Sequence, residues 1–167
     1  MAAALAPDRT TELPWQAVPG GKKPVRVAAA GDARAAAQLL HDFNTEFGDE
    51  TPPVDAVAER LRELLAGGDT VLLLAGDGPD GLAVLRFRRA LWTKGLECYL
   101  AELYVVPAQR GRGNGRALME AVLREARARC ADTIEIGVDE PDAAARALYE
   151  SLGFTNRAGG GGVMYVY

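Results

Sequence analysis

The sequence predicts a single α/β domain, and three observations carry that prediction. Apolar residues alternate between the period of a strand and the period of an amphipathic helix along most of the chain. The segments are punctuated by Gly, Pro and Asp clusters of the kind that end helices and turn hairpins. One strand pattern runs through a glycine-rich turn directly into a helix, across residues 99–119.

The elements follow in order. Residues 1–24 mix Ala, Pro, Gly, Thr and charge without periodicity, and read as a flexible N-terminal extension, with residues 25–167 as the folded domain. Trp15 stands out within the extension as an aromatic suited to packing on the domain or on a neighbouring subunit; a loosely attached tail is the alternative. Residues 25–29 make a short strand. Asp32 is placed to cap a helix whose apolar face is Leu39, Leu40, Phe43 and Phe47 and which ends near Gly48. Pro52 and Pro53 mark a loop. A second helix over residues 54–66 repeats Val57, Leu61, Leu64 and Leu65, and stops at Gly67-Gly68.

Residues 70–75 and 81–90 are strand patterns joined by Gly76-Asp77-Gly78-Pro79-Asp80, a hairpin connection. Residues 96–106 form the next strand. A helix over 115–130 buries Leu118, Ala121, Val122 and Ala126. A strand follows over 133–138, and a last helix over 142–152 is closed by Gly153. Phe154 opens a further strand, and residues 163–167 alternate as another.

Composition narrows the function. The chain has 167 residues and net charge −4, which gives no bulk attraction to nucleic acid or to an anionic membrane and favours cationic small molecules or basic peptides as partners. Cys98 and Cys130 have no metal spacing and are too few for a disulfide framework, so no metal is expected and a reducing cytoplasm suits them. No apolar run is long enough to span a bilayer.

The turn that joins strand to helix is Gln109-Arg110-Gly111-Arg112-Gly113-Asn114-Gly115-Arg116. Glycines at alternating positions let consecutive backbone amides converge on phosphate oxygens at a helix N-terminus, where the dipole favours an anion. Arg110, Arg112 and Arg116 add positive charge at the rim. The segment reads as a pyrophosphate seat for a nucleotide cofactor. It is not an ATP-binding P-loop, because Arg116 and Ala117 stand where that motif needs Lys and Ser or Thr, and it lacks the third glycine of the dinucleotide fingerprint.

What Arg110, Gly113 and Gly115 do resemble is the acetyl-CoA loop of the GNAT superfamily of N-acetyltransferases. A second segment is similar to the other half of the family signature, through Asp142, Ala145, Tyr149, Glu150, Gly153 and Phe154. The resemblance covers residues 25–167 and implies a mixed central sheet of six to seven strands flanked by about four helices. It implies acetyl-CoA as co-substrate, held by Arg110, Gly111, Arg112, Gly113, Asn114, Gly115 and Arg116, by the backbone of Leu103, Tyr104 and Val105, and by Asp142 and Tyr149. At the Asp142 place the family usually has Asn, whose amide hydrogen-bonds the pantetheine arm; an ionised Asp only accepts, and a helix-start role explains Asp142 equally well.

Acetyl transfer to an amine needs a deprotonated nucleophile, a stabilised oxyanion and a protonated leaving thiolate. Tyr149 is the candidate acid and also a cofactor contact; packing the last helix is its alternative role. Glu102 is the candidate base, because it interrupts an apolar strand just before the thioester-binding stretch, where burial would make it more basic. Solvent exposure, or pairing with Arg86 or Arg88, is the alternative. Family members that modify ribosomal protein N-termini carry a fifth-strand glutamate where Gly137 stands, which argues against that activity.

Substrate choice in the family rests with the connection between the first two helices. Here Glu46, Asp49, Glu50, Asp55 and Glu59 suit an ammonium group, and a solvated acidic helix end accounts for the same residues. The Glu46-Phe47-Gly48-Asp49 run resembles part of the aminoglycoside 3-N-acetyltransferases. His41 reads as structural. The expected acceptor is a primary amine of a small molecule, aminoglycoside-like or polyamine-like, or of a peptide. A non-catalytic acyl-CoA-binding sensor or interaction module is the alternative, and a different acyl donor a third. Family members often pair through terminal strands, so a homodimer is an expectation, with the pliable Gly159–Gly162 run serving that pairing or a loose turn.

Overall fold

The computed structural model describes residues 23–139, 141–156 and 163–166. The expected extension before residue 23, Trp15 within it, and the glycine run at 159–162 lie outside the described residues.

Strands β1 (Val25–Val27), β2 (Thr70–Ala75), β3 (Gly81–Arg89), β4 (Leu96–Val105), β5 (Ala131–Val138), β6 (Thr155–Asn156) and β7 (Val163–Val166) form one sheet in the order β1-β2-β3-β4-β5-β7-β6. Helices α1 (Ala33–Phe47), α2 (Val54–Ala66), α3 (Asn114–Ala128) and α4 (Ala143–Ser151) flank it. All pairings are antiparallel except β4 with β5, whose parallel arrangement needs the α3 crossover. The sheet and helix count match the expected architecture.

Two cores sandwich the sheet. On one face Val71, Leu73, Ala83, Leu85, Cys98, Leu100, Ile134 and Ile136 meet α3 and Tyr149 of α4. On the other, Leu72, Leu74, Leu82, Val84 and Tyr104 meet α1 and α2. β2 is buried at every residue, as a central strand covered on both faces must be.

One irregularity matters for the site. In the β3–β4 ladder Leu85 faces Leu100 and Val84 faces Glu102, so Ala101 is an extra residue, a β-bulge. Strict alternation from Leu100 would aim the residue at 102 toward the α3 face. The bulge reverses it: Glu102 shares the face of its partner Val84, toward α1 and α2.

Local expectations hold with specific corrections. Gly48 ends α1 with φ 77°, and Gly153 follows α4 with φ 92°. Asp32 precedes α1 but does not cap it by side chain; its carboxylate instead accepts from the Ala29 amide at 2.8 Å and pairs with Arg26, also at 2.8 Å. Arg26 and that amide hold its carboxyl down at about 2. Phe47 is 59% exposed rather than part of the buried stripe, and touches Phe43 edge to face. The His41 ring and carbonyl both meet the Thr45 hydroxyl one turn on in the same helix, at 3.4 and 2.8 Å.

Candidate active site

β4 runs through a short 3-10 turn (Pro107–Gln109) into the glycine-rich loop and α3. Gly111 (φ 71°) and Gly113 (φ 83°) occupy left-handed backbone, which costs a side-chain-bearing residue energy. Gly113 is the N-cap of α3, and the first intrahelical bond is Ala117 N to Gly113 O at 2.9 Å. The Arg110 amide is already used by Pro107 O at 3.2 Å. The amide row therefore starts at Gly111 rather than at Arg110. From Gly111 to Arg116 no amide makes a well-formed bond to a main-chain acceptor among the described residues. Such a row at a helix N-terminus has the donors and the dipole that suit an anion.

The side chains of the loop divide by task. Arg112 is exposed and has no ion-pair partner among the described residues. Arg116 donates to Ser151 Oγ at 2.7 Å, a neutral partner that ties α3 to α4 and leaves the charge uncompensated. Asn114 is buried at 1% exposure; its amide donates to Gln109 O at 3.0 Å and its Oδ1 accepts from the Lys23 amide at 2.9 Å. Its side chain thus straps the loop, and only its backbone faces the seat. Gly115 approaches α4 closely, since a Cβ there would stand 3.4 Å from Leu148 Cδ2.

Arg110, expected as a cation at the rim, is paired within the protein. Its guanidinium grips both carboxylate oxygens of Glu46 at 2.7 and 2.8 Å, while Nε donates to Val105 O at 2.9 Å. Tyr104 completes the group: its hydroxyl donates to Glu46 at 3.3 Å and its ring lies 5.6 Å beneath the guanidinium. The Arg110 guanidinium keeps the Glu46 carboxyl below the usual carboxylate range. Burial, and then the Glu46 charge, push the Tyr104 hydroxyl upward.

At the same end of the sheet β4 leaves β5. Their pairing stops at Leu100 opposite Ile136, while β5 goes on to pair with β7 through Val138. From Ala101 to Val105 the β5-side edge of β4 has no ladder partner among the described residues, so backbone of Leu103, Tyr104 and Val105 borders an opening. Their side chains pack alternately on the two cores. Gly137 lies just past the last pair, exposed, and a Cβ there would be 3.8 Å from Tyr99 Oη.

Glu102 is half-buried on the α1/α2 face, and burial raises its carboxyl above the ordinary value. Among the described residues no cation pairs with it; Arg88 instead binds Glu97. Tyr149 is 4% exposed, on the opposite core, with its ring 6.0 Å from Phe154. Burial, with the Asp142 charge second, moves its hydroxyl well above its ordinary value, so it holds its proton. Asp142 is the N-cap of α4 and accepts from the Ala145 amide at 2.9 Å.

Sequence reasoning marked Glu46 as an acid of the acceptor-side region and not as a partner of Arg110, and did not single out Ala101 or Gly81. Gly81 lies opposite Val105, and a Cβ there would meet Tyr104 O at 2.8 Å. The only signal for it was a glycine opening a strand.

Comparison with known proteins agrees with this geometry. The Acetyltransferase (GNAT) family model matches residues 36–154. A mycothiol acetyltransferase of Kineococcus radiotolerans is 41% identical over 135 residues, 79% of this chain, and one of Streptomyces avermitilis is 37% identical over 148 residues, 82% of this chain. The chain spans 42% of the length of each. A crystal structure of a candidate acetyltransferase from Arthrobacter sp. FB24 superposes with a TM-score of 0.76 at 50% identity, covering 83% of this chain and 89% of the other.

Proposed function

The chain belongs to the GNAT acetyltransferase family, and from that premise we infer that it transfers the acetyl group of acetyl-CoA to a primary amine of a small molecule. The observation that carries this reading is the separation of β4 from β5 beside the glycine loop, with Glu102 at its edge and without a cation partner among the described residues. The amides of Gly111 to Arg116 hold the diphosphate, with Arg112 and Arg116 supplying charge. The free edge of β4 along Leu103, Tyr104 and Val105 receives the pantetheine arm and sets the thioester in the opening. Asp142, in the family's place for a pantetheine contact, would meet the arm as an acceptor.

The chemistry follows from the two faces of β4. Glu102 takes a proton from the incoming ammonium on the α1/α2 face, and its raised pKa suits a general base near neutral pH. The amine nitrogen attacks the thioester carbonyl, forming a C–N bond and a tetrahedral oxyanion that β4 amides stabilise. Collapse breaks the C–S bond. Tyr149 gives its proton to the departing thiolate from the α3/α4 side, and the second proton of the attacking nitrogen, lost as the amide forms, restores the phenol, so that amide, free thiol and protonated Glu102 remain.

The similarity to mycothiol acetyltransferases supports a small-molecule acceptor. The acidic residues Asp49 and Glu50, exposed after α1, are suited to drawing in an ammonium. Thiol release from acetyl-CoA, followed with a panel of mycothiol-type, aminoglycoside, polyamine and peptide amines, tests the reading. Acetylated acceptor and free CoA in equal amounts are expected for at least one small amine. Intact acetyl-CoA after long incubation, despite tight binding, would replace the reading with a cofactor-binding sensor.

A further inference from the structure

We propose that Glu46 and Arg110 are positioning residues: their bridge fixes the coenzyme loop and the free end of β4 against the acceptor-side helix α1, and Arg110 makes no contact with coenzyme phosphate. This rests on the reading of the loop as a diphosphate seat.

The geometry is that of a bracket. Arg110 is the hinge between the 3-10 turn after β4 and the glycine loop, and each of the three nitrogens of its guanidinium commits one of its N–H donors within the protein, three of the five in all. Two donate to Glu46, near the end of α1, and one to Val105 O, at the free end of β4. A bidentate pair with a third bond leaves one arrangement rather than many. Tyr104 braces it from below, and Phe43 of α1 packs 5.2 Å from the Tyr104 ring. Three parts of the site, from residues far apart in sequence, are thereby held at one point: α1, the β4 edge and the start of the amide row.

Turning Arg110 toward a phosphate would break all three bonds and leave Glu46 without its cation. Arg112 and Arg116 carry charge at the same loop without such a cost. The bridge is partly exposed, with side-chain exposures of 44% for Arg110 and 30% for Glu46, so its contribution to overall stability is small and its effect is on geometry.

The test is calorimetric titration of the full chain with CoA for wild type, Glu46→Gln, Arg110→Gln and the double variant, at several salt concentrations, with thermal melting of each. Each single variant is expected to weaken CoA binding on the order of fivefold, the double variant no further, because both remove one bridge. The dependence of affinity on salt is expected to stay as in wild type, since no phosphate contact is lost. Melting temperatures stay close to wild type. Binding by wild type and Glu46→Gln with equal affinity overturns the inference and leaves the proposed function standing. Tighter binding by Glu46→Gln, or a flatter salt dependence in Arg110→Gln, overturns it by making Arg110 a phosphate ligand. Absence of CoA binding by wild type overturns both.

Discussion

Glu102 and Tyr149 lie on opposite faces of β4: the carboxylate is in register with Val84 on the α1/α2 side, and the phenol sits in the core that Leu100 and Leu103 share with α3. The strand between them is the one that parts from β5. Under the proposed mechanism, a thioester lodged in that gap would meet the carboxylate from one side and the phenol from the other. The one-residue bulge at Ala101 creates this arrangement, because without it the carboxylate would point into the α3 core.

Glu102→Gln separates catalysis from folding. The amide cannot accept the proton, and turnover is expected to fall by about 10²- to 10⁴-fold. In wild type the acid limb of kcat/KM reports the raised Glu102 carboxyl and lies above its ordinary 4.5; the variant loses that limb. Stability moves the other way. A carboxyl with a raised folded pKa binds its proton more tightly when folded, so its contribution is present at low pH and lost as pH rises through the folded value. The variant should therefore melt like wild type in acid and above it at neutral pH, checked by melting curves across pH.

Tyr149→Phe keeps the ring that packs on Phe154 and removes the proton. A drop in kcat of about 10²-fold with little change in CoA affinity is expected in rapid-mixing and calorimetric measurements. Because its hydroxyl stays protonated beyond the usual tyrosine range, no alkaline limb in wild type should disappear in the variant.

Gly81→Ala tests the strand geometry. Its Cβ would press on Tyr104 O at 2.8 Å, with Val105 and Leu118 also close, so β4 must shift at the pantetheine edge. Overpacking of this kind costs about 1–3 kcal/mol in denaturant titration. CoA binding should weaken with it, although Gly81 is on the neighbouring strand.

Asp142→Asn and Asp142→Ala distinguish a cap from a ligand. Asn caps as well as Asp, so it should keep stability, while Ala loses the bond to the Ala145 amide and costs about 1 kcal/mol. If Asp142 also meets the pantetheine arm, Asn, which can donate, should alter the Kd for CoA while leaving the melting temperature in place.

Much of the fold was legible because it is local. The periodicity of Val57, Leu61 and Leu65 gives α2 its observed bounds, and Gly48 and Gly153 stand in the left-handed conformation that commonly closes a helix C-terminus. The glycine-rich turn into α3 was legible for the same reason, since its glycines and helix are contiguous. What could not be read depends on distant partners. Arg110 looks like a rim cation until α1 brings Glu46 to it from 64 residues away. Asp32 looks like a helix cap until Arg26 competes for it. The Ala101 bulge exists only in the register with β3, and no run of residues around it announces a shift.

Calorimetric titration of the full chain with CoA and, separately, with pantetheine measures directly whether the amide row of Gly111 to Arg116 holds a diphosphate. Saturable heat is expected with CoA at a Kd within about 1 μM to 1 mM, and much weaker binding of pantetheine, which lacks the diphosphate. A flat CoA trace, or equal affinity for the two, would contradict that role of the loop.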